Sequence, residues 1–213
     1  MRILLCDDHK MMRDGLRAIL EKEGLEVVGE ASNGHEVIEL ARRLHPEIVV
    51  MDISMPHLNG IDATRGLVAE HRGVKVIGLS MNADQRYVIA MFKAGAVGYL
   101  VKNAASDELI RAVRAVAADL TYVSPSIAAV VVDNVVGPAP LVTTPPKKAL
   151  SPRERAVLQL LAEGSSSKEI AIRLSVSVAT VESHRRQIVD KLDIHSIAQL
   201  TKYAIREGLT SAD

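Results

Sequence analysis

Residues 47–52 read EIVVMD, four consecutive apolar side chains followed at once by an aspartate. A strand alternates its side chains between two faces, so apolar residues at successive positions mean that both faces are covered. That is the mark of an interior strand in a parallel sheet. On either side lie runs of the same kind: RILLC (2–6), EVVGEA (26–31), KVIGLS (75–80) and VGYLV (97–101). With EIVVM (47–51) they predict five strands. Longer stretches of helical period separate them, and Leu109, Val113 and Val116 recur at that spacing after the fifth. Gly24, Gly73 and Gly95 stand where helices should stop. Strands joined by single helices pair in parallel through right-handed crossovers. The expected fold of residues 1–120 is therefore α/β, a flavodoxin-like doubly wound five-stranded parallel sheet.

The chain has 213 residues, enough for two domains, and its 48% hydrophobic and 24% charged content suits a globular protein. Basic and acidic residues balance overall. Residues 1–146 hold 15 basic and 18 acidic side chains, residues 147–213 hold 11 and 8, so a net −3 segment precedes a net +3 one. The sign of the second fits nucleic acid. Cys6 is the one cysteine and is read as a buried packing thiol. A lone cysteine makes no internal disulfide, the N-terminal apolar run is broken after four residues, and no apolar stretch approaches the ~20 residues of a membrane span. These features give the expectation of a cytoplasmic protein without membrane association.

Residues 137–149, GPAPLVTTPPKKA, hold four prolines and no period, and residues 121–148 are read as connector and stiff linker. From 149 to 213 the chain is expected to be all-α, with four helices. SPRE (151–154) and SSKE (166–169) are both capping boxes, the first with proline at the opening helical position. A short second helix, the tight link SVSV and a polar, basic third helix make a helix-turn-helix pattern.

Chemistry gathers where the strands end. In an open parallel sheet, ligands bind at the carboxyl ends of strands where the strand order reverses. Asp7 and Asp8 end the first strand and Asp52 the third, so three carboxylates should converge there. Crowded carboxylates raise one another's pKa, and a hard cation such as Mg²⁺ relieves the conflict. Ser80 ends the fourth strand and Lys102 the fifth, where a hydroxyl and an ammonium can offset the charge of a transferring phosphoryl group. Asp52 is the expected nucleophile, with Ser80 and Lys102 assisting.

CDDH, VVMDISMPHLNGID, LSM and GYLVK match, in order and spacing, the motifs of the receiver domain of two-component response regulators, which residues 1–120 resemble. The resemblance implies that Asp52 accepts phosphate from a sensor histidine kinase. It also implies a Mg²⁺ site of Asp7, Asp8, Asp52 and the Ser54 backbone carbonyl, and a phosphorylation-reporting pair of Ser80 and Tyr99. Residues 149–207 resemble the LuxR-type helix-turn-helix domain through SPRE, KEIA, TVESH and KL, which makes the whole similar to the NarL/FixJ family. The implied function is a phosphorylation-dependent transcriptional regulator, not an enzyme, that binds promoter DNA as a homodimer. Alternatives are phosphorylation-independent DNA binding with a degenerate switch, or a protein-interaction adaptor.

On the third helix of that domain, Val181, Ile188 and Leu192 should pack inward, while Glu182, Ser183, Arg186 and Asp190 lie elsewhere. Arg186 and Glu182 are the expected base readers; Thr180, Arg185, Lys191 and Lys168 suit backbone phosphates. Aspartate at position 193 tolerates the left-handed conformation that ends such a helix. The resemblance makes Ile197, Leu200 and Ile205 of the fourth helix the dimer contact.

Overall fold

A computed structural model describes residues 1–71, 73–81, 85–103, 106–125, 127–128 and 150–210. The chain divides into two compact units, Met1–Gly137 and Pro138–Asp213. The expected linker, residues 137–149, lies outside the described residues.

In the first unit β1 (Arg2–Cys6), β2 (Glu26–Ala31), β3 (Ile48–Asp52), β4 (Lys75–Ser80) and β5 (Gly98–Val101) alternate with α1 (Lys10–Lys22), α2 (Gly34–Leu44), α3 (Gly60–Glu70), α4 (Gln85–Lys93) and α5 (Ser106–Ala117). The sheet order is β2-β1-β3-β4-β5-β6, all pairs parallel. The sixth strand, β6 (Tyr122–Val123), corrects the expectation of five. It pairs Gly98 with Tyr122 and Tyr99 with Val123, so the first unit runs past residue 120 into the expected connector. Ser124 extends this edge: its N–H donates to the Tyr99 carbonyl at 3.0 Å, and its hydroxyl donates to Glu108 and accepts from the Val101 N–H. Ile127 is buried in the core beyond it.

Every residue of β3 is buried, as its unbroken apolar run requires. Leu4, Cys6, Val49 and Met51 face a layer from α2, α3 and α4 that includes Val37, Ala41, Ile61, Leu67, Val88 and Met91. Ile3, Leu5, Ile48 and Val50 face Leu16 and Leu20 of α1 and Leu109, Val113 and Val116 of α5. Asn33 and Asn59 cap α2 and α3 by accepting backbone N–H groups, which fixes the loops leaving the sheet edge. Gly24, Gly73 and Gly95 all adopt positive φ at helix ends.

The second unit contains α6 (Pro152–Ala162), α7 (Ser167–Arg173), α8 (Val178–Leu192) and α9 (Ile197–Arg206). Both capping boxes form reciprocally, Ser151 with Glu154 and Ser166 with Glu169. Val157, Leu158, Leu161, Ile170, Val181, Ile188, Leu200 and Ala204 make one core. Asp193 ends α8 in the left-handed region at φ 55°. No helix among the described residues is long and apolar enough to cross a membrane.

Candidate functional site

Strand register builds the first site. Cys6 pairs with Met51, so Asp7, the next residue, arrives beside Asp52. Ser80 pairs with Val101, so Lys102 emerges one step beyond, and its own N–H donates to the Ser80 carbonyl at 2.7 Å. The Lys102 ammonium lies 2.8 Å from both Asp7 Oδ2 and Asp52 Oδ2, with all three side chains buried. Asp8 stands at the rim, its Oδ1 2.8 Å from His9 Nδ1. Ser80 is buried, the Ser54 N–H donates to Asp52 Oδ1 at 3.3 Å, and Tyr99 is fully buried in the core shared with α4. Lys102 reaches both carboxylates although Asn103 follows it where many receivers have proline.

Burial pushes the Asp52 carboxyl up to about 6; the Lys102 charge pulls it down and the Asp7 charge pushes it up. Burial works against the charge on Lys102, but Asp52 and Asp7 overcome it and hold that ammonium above its ordinary value. At neutral pH Asp52 is thus ionised beside the Lys102 ammonium. Burial, then the charges of Asp52 and Asp7, raise the Cys6 thiol well above its usual range, and its Sγ sits 3.3 Å from Met55 Sδ. It is a protonated packing group.

The shift at Asp52 has a thermodynamic sign. The native carboxyl keeps its proton up to pH about 6, whereas an unfolded aspartate releases it near 3.8. Between those values the unfolded state binds fewer protons, so stability through this group falls as pH rises. Without divalent ions, Asp52→Asn should therefore stabilise the first unit by about 2–3 kcal/mol at pH 7.5 and change little at pH 4. Urea titrations at the two pH values check this; a variant no more stable than wild type at pH 7.5 contradicts it.

The donor set suits a hard cation. Asp7, Asp8, His9 and Asp52 offer atoms that all lie within 4.8 Å of one another. Beyond the close contacts with Lys102 and His9, the buried oxygens Asp7 Oδ2, Asp8 Oδ1 and Asp52 Oδ2 have no aligned hydrogen-bond donor. Carboxylate oxygens with spare acceptor capacity are what Mg²⁺ or a similar ion takes up. His9 and Arg13 carry no expected role, yet both touch the pocket. The Arg13 guanidinium donates to the Asp7 carbonyl at 2.6 Å and to Glu30 Oε2 at 3.1 Å, pinning the turn that carries both aspartates. Adjacency in CDDHKMMR is the only sequence signal for either.

In the second unit the residues expected at DNA divide. Lys168 and Arg186 are exposed, Ser183 is half-buried on α8, and Thr180 shares the N-terminal cap of that helix with Ser177, Oγ to Oγ1 at 2.8 Å. Glu182 differs from its expected free presentation. Its Oε1 accepts from the Ser167 hydroxyl at 2.5 Å and from Arg185 at 3.0 Å, so it ties α8 to α7 and takes part of the Arg185 charge with it. The Ser167 hydrogen bond, with Arg185 adding, holds the Glu182 carboxyl below its ordinary range. Lys191 departs further from a phosphate contact, because its ammonium lies 2.6 Å from the carboxylate of Glu154, which is 2% exposed. In α9, Ile197 is 52% exposed and Ile205 half-buried, but Leu200 is 6% exposed and packs inward, corrected from the expected dimer contact. Leu200 and Ala204, four residues apart, share the inner face.

Fold and pocket define a class: a receiver-type α/β unit with a carboxylate–lysine pocket at its strand-order switch, in one chain with a helix-turn-helix unit. The family model for the response regulator receiver domain matches residues 3–114, and that for bacterial regulatory proteins of the luxR family matches 148–204. The response regulator UvrY of Escherichia coli (strain K12) is 37% identical over 212 residues, spanning 99% of this chain and 96% of the relative. The response regulator GacA of Pseudomonas protegens is 36% identical, over 99% of this chain and 98% of the relative. Among solved structures, RcsB from Salmonella enterica serovar Typhimurium bound to promoter rprA in the presence of phosphomimetic BeF3− is 27% identical. It covers 95% of this chain and 97% of its own, with a TM-score of 0.61. The chain belongs to the NarL/FixJ family of two-component response regulators.

Proposed function

We propose that the protein is a phosphorylation-controlled transcriptional regulator acting in the cytoplasm, with Asp52 as phosphoacceptor. The observation that carries this reading is the ammonium of Lys102 held 2.8 Å from both Asp7 and Asp52 at the end of a parallel sheet, in a chain that also carries a capped helix-turn-helix. A carboxylate oxygen of Asp52 attacks the phosphorus of a phosphohistidine on a sensor kinase. The P–O bond forms as the P–N bond breaks, the imidazole leaves, and an acyl phosphate remains. Lys102 turns from Asp52 to the new phosphoryl oxygens and offsets their charge. The Ser80 hydroxyl donates to another oxygen, and Tyr99, in the strand between Ser80 and β6, follows that shift. Mg²⁺ would be held by Asp8, Asp52 and the Ser54 carbonyl with Asp7 beside them, and when bound it supplies compensation of the phosphoryl charge.

Output runs through α8. Arg186 and Ser183 face base edges, while Thr180, Lys168 and the remaining donors of Arg185 contact phosphates. Two copies on paired half-sites give specificity, with the exposed Ile197 and the half-buried Ile205 at the dimer contact. The test is promoter binding by wild type and Asp52→Asn, with and without beryllofluoride or acetyl phosphate plus Mg²⁺. Wild-type affinity should rise roughly tenfold with the phosphoryl mimic, a coupling of about 1.4 kcal/mol, and the variant should not respond. Identical wild-type binding in all conditions would remove the switch.

A further inference from the structure

Of the groups at the acidic pocket, His9 is the one that the phosphoacceptor reading leaves without a task. Its imidazole Nδ1 lies 2.8 Å from Asp8 Oδ1 and 3.4 Å from Asp7 Oδ1. The shorter contact is not aligned as a hydrogen bond, since Asp8 Oδ1 has no such partner although it is buried. Asp7 and Asp52 direct their Oδ2 atoms at Lys102, which leaves Asp7 Oδ1 on the His9 side, where it also accepts from the His9 backbone N–H at 2.9 Å. Metal–ligand bonds of about 2.0–2.2 Å place neighbouring donors of an octahedral or tetrahedral ion roughly 3.0–3.5 Å apart. The 3.4 Å separation falls within that range and the 2.8 Å separation lies just below it. The ring is 71% exposed, so it closes on an ion without disturbing the core.

We infer that His9 Nδ1, with Asp7 and Asp8, makes this pocket a mixed nitrogen–oxygen site that binds borderline transition-metal dications of the Co²⁺, Ni²⁺ and Zn²⁺ class in preference to Mg²⁺. The inference rests on the reading of Asp7, Asp8 and Asp52 as a cation pocket, and it adds the donor that sets which cation enters. Mg²⁺ seeks oxygen ligands and gains little from imidazole, whereas affinity for nitrogen-containing sites climbs along the first-row series. The ring ligates through the lone pair of Nδ1, with its N–H on Nε2.

The test uses the full chain with Co²⁺ and Mg²⁺, titrated calorimetrically against wild type, His9→Asn and Asp8→Asn. The Co²⁺ form is also followed by proton NMR for a strongly shifted imidazole N–H. His9→Asn should lower the ratio of Co²⁺ to Mg²⁺ affinity roughly tenfold or more and abolish one shifted imidazole signal. A ratio that stays within about threefold, with Asp8→Asn weakening both ions, overturns the role of His9 and leaves the pocket standing. If Asp8→Asn weakens neither ion, the pocket reading falls and this inference with it.

Discussion

Gly60→Ala should lose most of its affinity for beryllofluoride and Mg²⁺, about tenfold or more, and cost the first unit about 2–4 kcal/mol of stability. A Cβ at this position would stand 1.9 Å from the Asp52 carbonyl oxygen, 2.9 Å from the Asp52 carbonyl carbon and 3.0 Å from the Ile53 Cα. All three are backbone atoms, so no rotamer change relieves the overlap. Either the end of β3 moves or the start of α3 does. In the second case the 2.9 Å bond from the Gly60 N–H to the Ile53 carbonyl breaks. The first route displaces Asp52 from the Lys102 ammonium and the second releases the loop that follows Asp52, and a misplacement of that size is enough to spoil a preorganised site. Gly15, exposed in α1, is the contrast, because a Cβ added there would meet nothing within 4 Å. Gly15→Ala should stabilise by about 0.5–1 kcal/mol through helix propensity alone. Fluorine NMR of beryllofluoride binding and urea unfolding decide the matter; a Gly60→Ala variant that matches wild type in both would refute the close approach.

Lys191→Ala should destabilise the second unit by about 2–4 kcal/mol, and its signature lies in pH. Glu154 is buried, which works against its charge, but the Lys191 ammonium and the Ser151 N–H at 2.6 Å hold its carboxyl below the ordinary range. A depressed native pKa contributes stability above the unfolded value, and that contribution disappears as pH falls through the native one. Without Lys191 the cost of burial dominates and the sign reverses, so the variant should recover relative to wild type as pH drops toward about 4. Amide signals of Val157 and Ile188 during urea titration of the whole chain report this unit. If Lys191 instead served a DNA phosphate, the substitution would leave stability unchanged and reduce the salt slope of binding by about one.

Glu154 and Lys191 also mark where sequence legibility ends. The α/β alternation, the capping boxes and the aspartates at strand ends are local patterns, and each follows from period 2, period 3.6 or side-chain reach within about four residues. Strand register then carries Asp7, Asp52 and Lys102 together, because the last residue of β3 and the residues one past β1 and β5 meet at the same sheet edge. Glu154 and Lys191 are 37 residues apart and sit in different helices, so spacing says nothing of their pairing. Glu182 reads as a groove-facing carboxylate until α7 brings Ser167 beside it. The helix of Leu200 is plain in the sequence, but which side faces the core depends on how α9 docks. At two residues, β6 is too short to show any period, and its hydrogen bonds are made with a partner strand.

That short strand has a mechanical consequence. Ser124 grips β5 at two points, the Tyr99 carbonyl through its amide and the Val101 amide through its hydroxyl, the latter one position before Lys102. The chain after β6 is thus fastened to the strand that precedes the pocket's lysine. A shift of β5 would therefore carry Ser124 with it.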